Sequence, residues 1–163
     1  MPATGVLIVE DEGVIAADIG RRLTRLGYSV VGTTDTGDGA VALAADLRPD
    51  LVLMDIRLKG PVDGIAAAER IRRTSEVPVV YLTAHADEAT LARAKRTEPF
   101  GYILKPLHER DLRSVIEIAL YKHNAERELR ASERRYAATV AGVADGVIAA
   151  DAAGRVVLVN PAA

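Results

Sequence analysis

From Gly5 to Leu104, short apolar runs alternate with amphipathic segments, and no other feature of the sequence constrains the fold as much. Gly5 to Val9 is continuously apolar, as expected of a strand buried on both faces. From Val14 the period changes. Ile15, Ile19, Leu23 and Leu26 share one stripe of a helix, and Gly27 follows where positive φ is favoured. Ser29 to Gly32 reads as a weaker second strand. Ala40, Leu43, Ala44 and Leu47 mark a second helix that Pro49 stops. Leu51 to Met54 is a third strand, ending at Asp55. Ile65, Ala68 and Ile71 mark the next helix, after a loop holding Gly60, Pro61 and Gly64. Val77 to Leu82 is the fourth strand and Phe100 to Leu104 the fifth. Between them Asp87 to Arg96 forms a polar helix with Leu91 and Ala94 inward. Strands alternating with helices predict an α/β fold, a parallel sheet covered on both faces with right-handed crossovers.

The last helix behaves differently. It is expected to run from His108 to about Tyr136 without Pro or Gly, with Leu112, Ile116, Ala119 and Leu120 on the sheet. From Lys122 to Arg135 it is mostly charged. Two readings stand: a signalling helix able to form a two-stranded coil, or a lone solvated helix. Beyond Gly142, Gly146 to Ala150 and Arg155 to Val159 read as two short strands, joined by a turn at Asp151 to Gly154.

Composition narrows the chemistry. The absence of cysteine excludes disulfides, thiol catalysis and Cys-ligated zinc. His85, His108 and His123 have no metal-binding spacing. The net charge of −2 gives no general attraction to nucleic acid, and the Arg-rich stretch from Arg127 to Arg135 reads as a solvated helix face. No apolar run has membrane-span length, and no signal peptide precedes the first strand. The expectation is a soluble cytoplasmic protein with neither nucleic acid nor membrane as partner. No GxGxxG follows the first strand and no P-loop occurs, so dinucleotide and NTP sites lack support.

In open α/β sheets, ligands bind beyond the carboxyl ends of the strands. Glu10, Asp11 and Glu12 follow the first strand, Asp55 the third, Thr83 the fourth, and Lys105 with Pro106 the fifth. Carboxylates crowded on one rim repel by about 4 kcal/mol per pair at 4 Å and an effective dielectric of 20. Such a set raises its own pKa values or attracts a hard cation. A carboxylate can also act as a nucleophile and form an aspartyl phosphate. The plainer readings are a charge pair at the start of a helix for Glu10 and Asp11, and a helix-start role for Glu12.

Val6 to Glu12, Leu53 to Asp55, Leu82 to Ala84 and Gly101 to Pro106 resemble, in order and spacing, the response-regulator receiver domain of two-component signalling. The resemblance covers about residues 4–121 and implies a flavodoxin-like, doubly wound sheet of strand order 2-1-3-4-5. It implies Asp55 as phosphoacceptor. Glu10, Asp11, Asp55 and the backbone carbonyl of Arg57 would hold Mg²⁺, with Mn²⁺ as the alternative. Thr83 becomes the switch hydroxyl, Lys105 the ion partner of the phosphoryl group and Tyr102 the aromatic switch residue. Pro106 is structural, behind a cis Lys105-Pro106 bond. The implied donor is a histidine kinase or phosphotransfer protein, and the fragment is expected not to be a turnover enzyme, with a histidine kinase or another output domain as the candidates for the full-length protein. Phosphorylation would reshape the surface of the fourth helix, fifth strand and fifth helix. The loop from Ile56 to Gly64 is about one residue longer than in the commonest receivers, and Arg57 and His85 occupy positions that tune phosphoryl lifetime.

Ser132 to Tyr136, Ala144 to Ile148 and Val157 to Ala163 resemble the opening of a PAS sensor domain. The expected organisation is a receiver at 1–121, a linker helix at 122–138 and a PAS-like fragment at 139–163. The helix could support a homodimer and pass the signal to the PAS or output region. The competing function is a non-phosphorylated, receiver-like dimerisation scaffold. Such scaffolds usually lack a key site residue, whereas all are present here. A phosphatase with an aspartyl nucleophile would typically place a second acid at position 57, which is Arg.

Overall fold

The computed structural model describes residues 3–84, 87–141, 146 and 148–159. The chain divides into two compact units, 1–123 and 124–163.

The first unit is built as β1 (Gly5–Val9), α1 (Gly13–Arg25), β2 (Ser29–Thr34), α2 (Gly37–Leu47), β3 (Leu51–Asp55), α3 (Gly64–Thr74), β4 (Val79–Thr83), α4 (Glu88–Arg96), β5 (Gly101–Leu104) and the start of α5 (Glu109–Ala141). The five strands form one parallel sheet in the order β2-β1-β3-β4-β5. β1, β3 and β4 are buried along their whole length, which explains their unbroken apolar sequence. β2, at one edge, alternates between exposed and half-buried residues, hence its weaker signal.

The pleat sorts side chains into two cores. Val6, Ile8, Leu51, Leu53, Val80 and Leu82 pack with Ile19 and Leu23 of α1 and Leu112, Ile116 and Ala119 of α5. Leu7, Val9, Val52, Met54, Val79 and Tyr81 pack on the other face with Ala40, Ile65, Ile71 and Ala94 of α2, α3 and α4. Leu23 is wholly buried. Leu23→Ala is expected to cost about 3 kcal/mol, read as a lower urea midpoint with an unchanged slope.

Element ends follow local chemistry. Thr36, Asp63 and Asp87 cap α2, α3 and α4, their side chains accepting from the amides of Gly39, Ala66 and Thr90 at 3.2, 2.8 and 2.8 Å. The Thr36 cap lets α2 begin at Gly37, before the apolar stripe at Ala40. β4 begins at Val79, later than its apolar run, because Pro78 has no N–H to give a ladder. Gly27, at φ +87°, stands directly after Leu26, the cap of α1. α5 continues past Tyr136 to Ala141, since Ala137 to Ala141 contains no helix breaker.

In the second unit, β6 (Ile148–Ala150) and β7 (Val156–Val159) pair antiparallel. The Asp151 carboxylate closes the turn, accepting from the Ala153 and Arg155 amides at 2.9 and 3.0 Å. Part of the PAS-like signature, residues 144, 145, 147 and 160–163, lies outside the described residues, as does His85. Among the described residues, no helix is long and apolar enough to cross a membrane.

Candidate functional site

The parallel sheet brings the ends of β1, β3, β4 and β5 to one rim. Glu10 follows β1, and its side chain is wholly buried. Its Oε1 accepts the Glu12 amide at 3.1 Å and its Oε2 accepts Lys105 Nζ at 2.7 Å. Asp55 ends β3. Its Oδ1 accepts the Arg57 amide at 2.9 Å and its Oδ2 accepts Lys105 Nζ at 2.6 Å. Glu10, Asp11 and Asp55 each offer a carboxylate oxygen within 4.8 Å of the others. Three hard oxygen donors at that separation fit a divalent cation such as Mg²⁺. Thr83 is buried at the end of β4, and its carbonyl accepts the Lys105 amide at 2.8 Å. The Lys105-Pro106 bond is cis. Asp11, Asp55, Arg57, Lys59, Thr83 and Lys105 border a cleft of about 480 Å³. A larger groove, about 990 Å³ between α1 and β2, meets this chemistry only at Glu10 and Asp11.

Burial pushes the Glu10 carboxyl above the usual carboxylate range, against the opposing pull of Lys105 and the Glu12 amide. Burial alone would lower the Lys105 ammonium, but its bonds to Asp55 and Glu10 outweigh that and hold it above the ordinary lysine value. The stability this lysine contributes is therefore complete below the unfolded lysine pKa and is lost as pH rises through the folded value. For Glu10 the sign is the same, because its folded pKa is raised as well. Its folded form takes up a proton first, so acidification through the raised pKa relieves a cost.

Lys105→Met leaves two buried carboxylates facing each other without their cation. We expect a loss of about 3 kcal/mol at pH 7. The loss shrinks as the pH is lowered and Glu10 accepts its proton, and urea midpoints at pH 7 and at a mildly acidic pH test this. An equal loss at both would mean that lost packing, not charge, sets the effect.

The sequence-predicted residues do not all meet. Glu10, Asp11, Asp55, Thr83, Lys105 and the backbone of Arg57 converge. Tyr102 does not border the cleft. It lies 5.8 Å from Tyr81 between ring centroids, and its buried hydroxyl has no hydrogen-bond partner among the described residues. Glu12 precedes α1 as its cap residue and reaches the site only through its amide. Two contributors were missed by residue pattern: the Arg57 amide, which orients Asp55, and Lys59, whose Nζ donates to the Asp11 carbonyl at 3.1 Å. The length of the loop from Ile56 to Gly64 was the only signal for Lys59.

This is a flavodoxin-like, doubly wound sheet with an acidic, lysine-bridged cleft at its carboxyl rim. Residues 6–117 match the response regulator receiver domain family. The chain belongs to that family. It is 38% identical over 128 residues to the transcriptional regulatory protein PdtaR of Mycobacterium tuberculosis, covering 78% of this chain and 60% of PdtaR. It thus spans less than two thirds of that relative. The receiver domain of a modulated diguanylate cyclase from Desulfovibrio desulfuricans G20 is 43% identical with a TM-score of 0.74, covering 77% of this chain and 99% of that one. The receiver domain of the sensor histidine kinase PA1611 from Pseudomonas aeruginosa PAO1 has a magnesium ion coordinated in its active site cleft. It is 30% identical with a TM-score of 0.66, covering 73% of this chain and 98% of that one.

Proposed function

We propose that Asp55 accepts a phosphoryl group from a phosphohistidine on an upstream histidine kinase or phosphotransfer protein, in a Mg²⁺-dependent transfer. The observation that carries this reading is the setting of Asp55. It ends a central strand with Oδ1 held by the Arg57 amide and Oδ2 by Lys105, and the Glu10 and Asp11 oxygens lie within 4.8 Å. An Asp55 carboxylate oxygen bonds to phosphorus as the P–N bond of the donor breaks, and the imidazole leaves with the electron pair. Such transfers need positioning and charge neutralisation more than covalent help. Lys105 is placed to exchange a carboxylate oxygen for a phosphoryl oxygen. Glu10, Asp11, Asp55 and the Arg57 carbonyl would hold Mg²⁺ or Mn²⁺, whose charge offsets that of the carboxylates and the phosphoryl group.

Thr83 then turns its hydroxyl toward the phosphoryl group, and Tyr102 repacks. The Tyr102 hydroxyl, buried without a hydrogen-bond partner among the described residues, supports this: leaving such a group buried costs about 1–3 kcal/mol, which favours a second position for the ring. The two states shift the α4, β5 and α5 surface. In this reading residues 1–121 are the receiver, 122–138 a linker helix with a homodimer as its partnered form, and 139–163 the start of a PAS-like region that receives the signal. The receiver performs no turnover beyond its own phosphorylation and dephosphorylation at Asp55, and its setting is the cytoplasm.

Incubation with acetyl phosphate tests the site. Intact mass is expected to show one phosphoryl adduct that requires Mg²⁺, and peptide mapping to place it on Asp55. An adduct on another residue would sink the assignment. Failure to form either the adduct or a beryllium fluoride complex would favour the scaffold reading.

A further inference from the structure

Lys59, between β3 and α3, is held from two directions. Its backbone forms an isolated parallel bridge with Thr36, just ahead of α2. Its ammonium reaches across 48 residues to the Asp11 carbonyl oxygen at 3.1 Å. A second cation therefore stands at the mouth of the cleft, opposite in character to Lys105. Lys105 is mostly buried and neutralised by Glu10 and Asp55. Lys59 is exposed and touches a carbonyl oxygen. Among the described residues no carboxylate lies within ion-pairing distance of it, and no side chain pairs with the Asp11 carboxylate.

The sign of its effect depends on what enters. A divalent cation entering alone brings like charge toward Lys59. A phosphoryl group on Asp55, or an anionic mimic of it, brings opposite charge. A unit charge within a Debye length of a divalent ion changes its affinity by about three- to tenfold at the dielectric of water. We propose that Lys59 is a charge selector at the mouth of the cleft: it weakens the state with metal alone and strengthens the state holding metal and phosphoryl group together. The inference rests on the phosphoacceptor reading above and deepens it. Lys59 acts as a positioning residue through its charge and touches no reacting atom.

The test uses the whole chain, with Lys59→Met and Lys59→Arg beside the unsubstituted protein. Calorimetric titration gives Mg²⁺ affinity without any phosphoryl mimic. A second titration gives beryllium fluoride affinity at saturating Mg²⁺. In Lys59→Met, Mg²⁺ is expected to bind about three- to tenfold tighter and the singly charged beryllium fluoride about two- to threefold weaker, since its Coulomb energy with the lysine is half as large. Lys59→Arg keeps both near the starting values, and added salt shrinks both differences. A merely structural tie between the loops would weaken both ligands together, and that result overturns the proposal, as does no change in either. If the unsubstituted protein binds neither Mg²⁺ nor beryllium fluoride, the phosphoacceptor reading itself fails and the role of Lys59 falls with it.

Discussion

Asparagine at position 55 is expected to abolish phosphoryl acceptance and leave the fold standing. The carboxamide oxygen keeps the place that accepts the Arg57 amide, now at 2.9 Å on Oδ1. The amide nitrogen replaces the oxygen that meets Lys105, and donor then faces donor. Lys105 retains Glu10 at 2.7 Å. The lost ion pair is offset by removal of the repulsion between the Glu10 and Asp55 carboxylates, so stability should change by only about 1 kcal/mol. The chemistry changes far more, because a neutral amide does not form an acyl phosphate. Intact mass after acetyl phosphate treatment, with a melting curve on the same sample, checks both halves. A surviving adduct would put the acceptor elsewhere. A collapsed fold would make Asp55 a structural residue.

Gly64→Ala should be the most damaging single-methyl change in the receiver unit. Gly64 opens α3, and its amide donates to the Ile56 carbonyl at 3.0 Å. A Cβ added there would lie 1.8 Å from the Asp55 carbonyl oxygen and 2.8 Å from its carbonyl carbon. Both are backbone atoms of the phosphoacceptor residue, so no side-chain rotation gives relief. Either α3 or the end of β3 must move. We expect a loss of about 3 kcal/mol, or a Tm lower by about 10 °C. At a temperature where the variant remains folded, adduct formation should still slow by more than tenfold, since small misplacement of a reacting group is costly. A wild-type rate in the folded variant would show that α3 moved and Asp55 did not.

Much of this was readable in the sequence. β1, β3 and β4 announced themselves as unbroken apolar runs because both faces of each are covered. The residue following each run could be placed on one rim because parallel strands share a carboxyl end. Gly64 marked a loop end, but the sequence could not show that it presses on the backbone of Asp55. In the acidic triplet at 10–12 the sequence set Glu12 apart as a helix-start residue but did not separate Glu10 from Asp11. In the fold Glu10 is wholly buried, Asp11 borders the cleft and Glu12 is exposed at the cap of α1. Three consecutive residues leaving a strand point in different directions, and no local pattern orders them.

Residues near one another in sequence decide period, capping and turn chemistry, so the chain by itself determined its five strand-helix alternations and the identity of the rim residues. The tertiary structure alone decided which charges neutralise one another. Lys105 meets Asp55 and Glu10 across separations of 50 and 95 residues, and Lys59 meets Asp11 across 48. Those contacts exist because β1 and β4 flank β3, β5 lies beside β4, and one loop leans over another. The electrostatic character of the cleft is thus a property of strand order, which local periodicity does not encode.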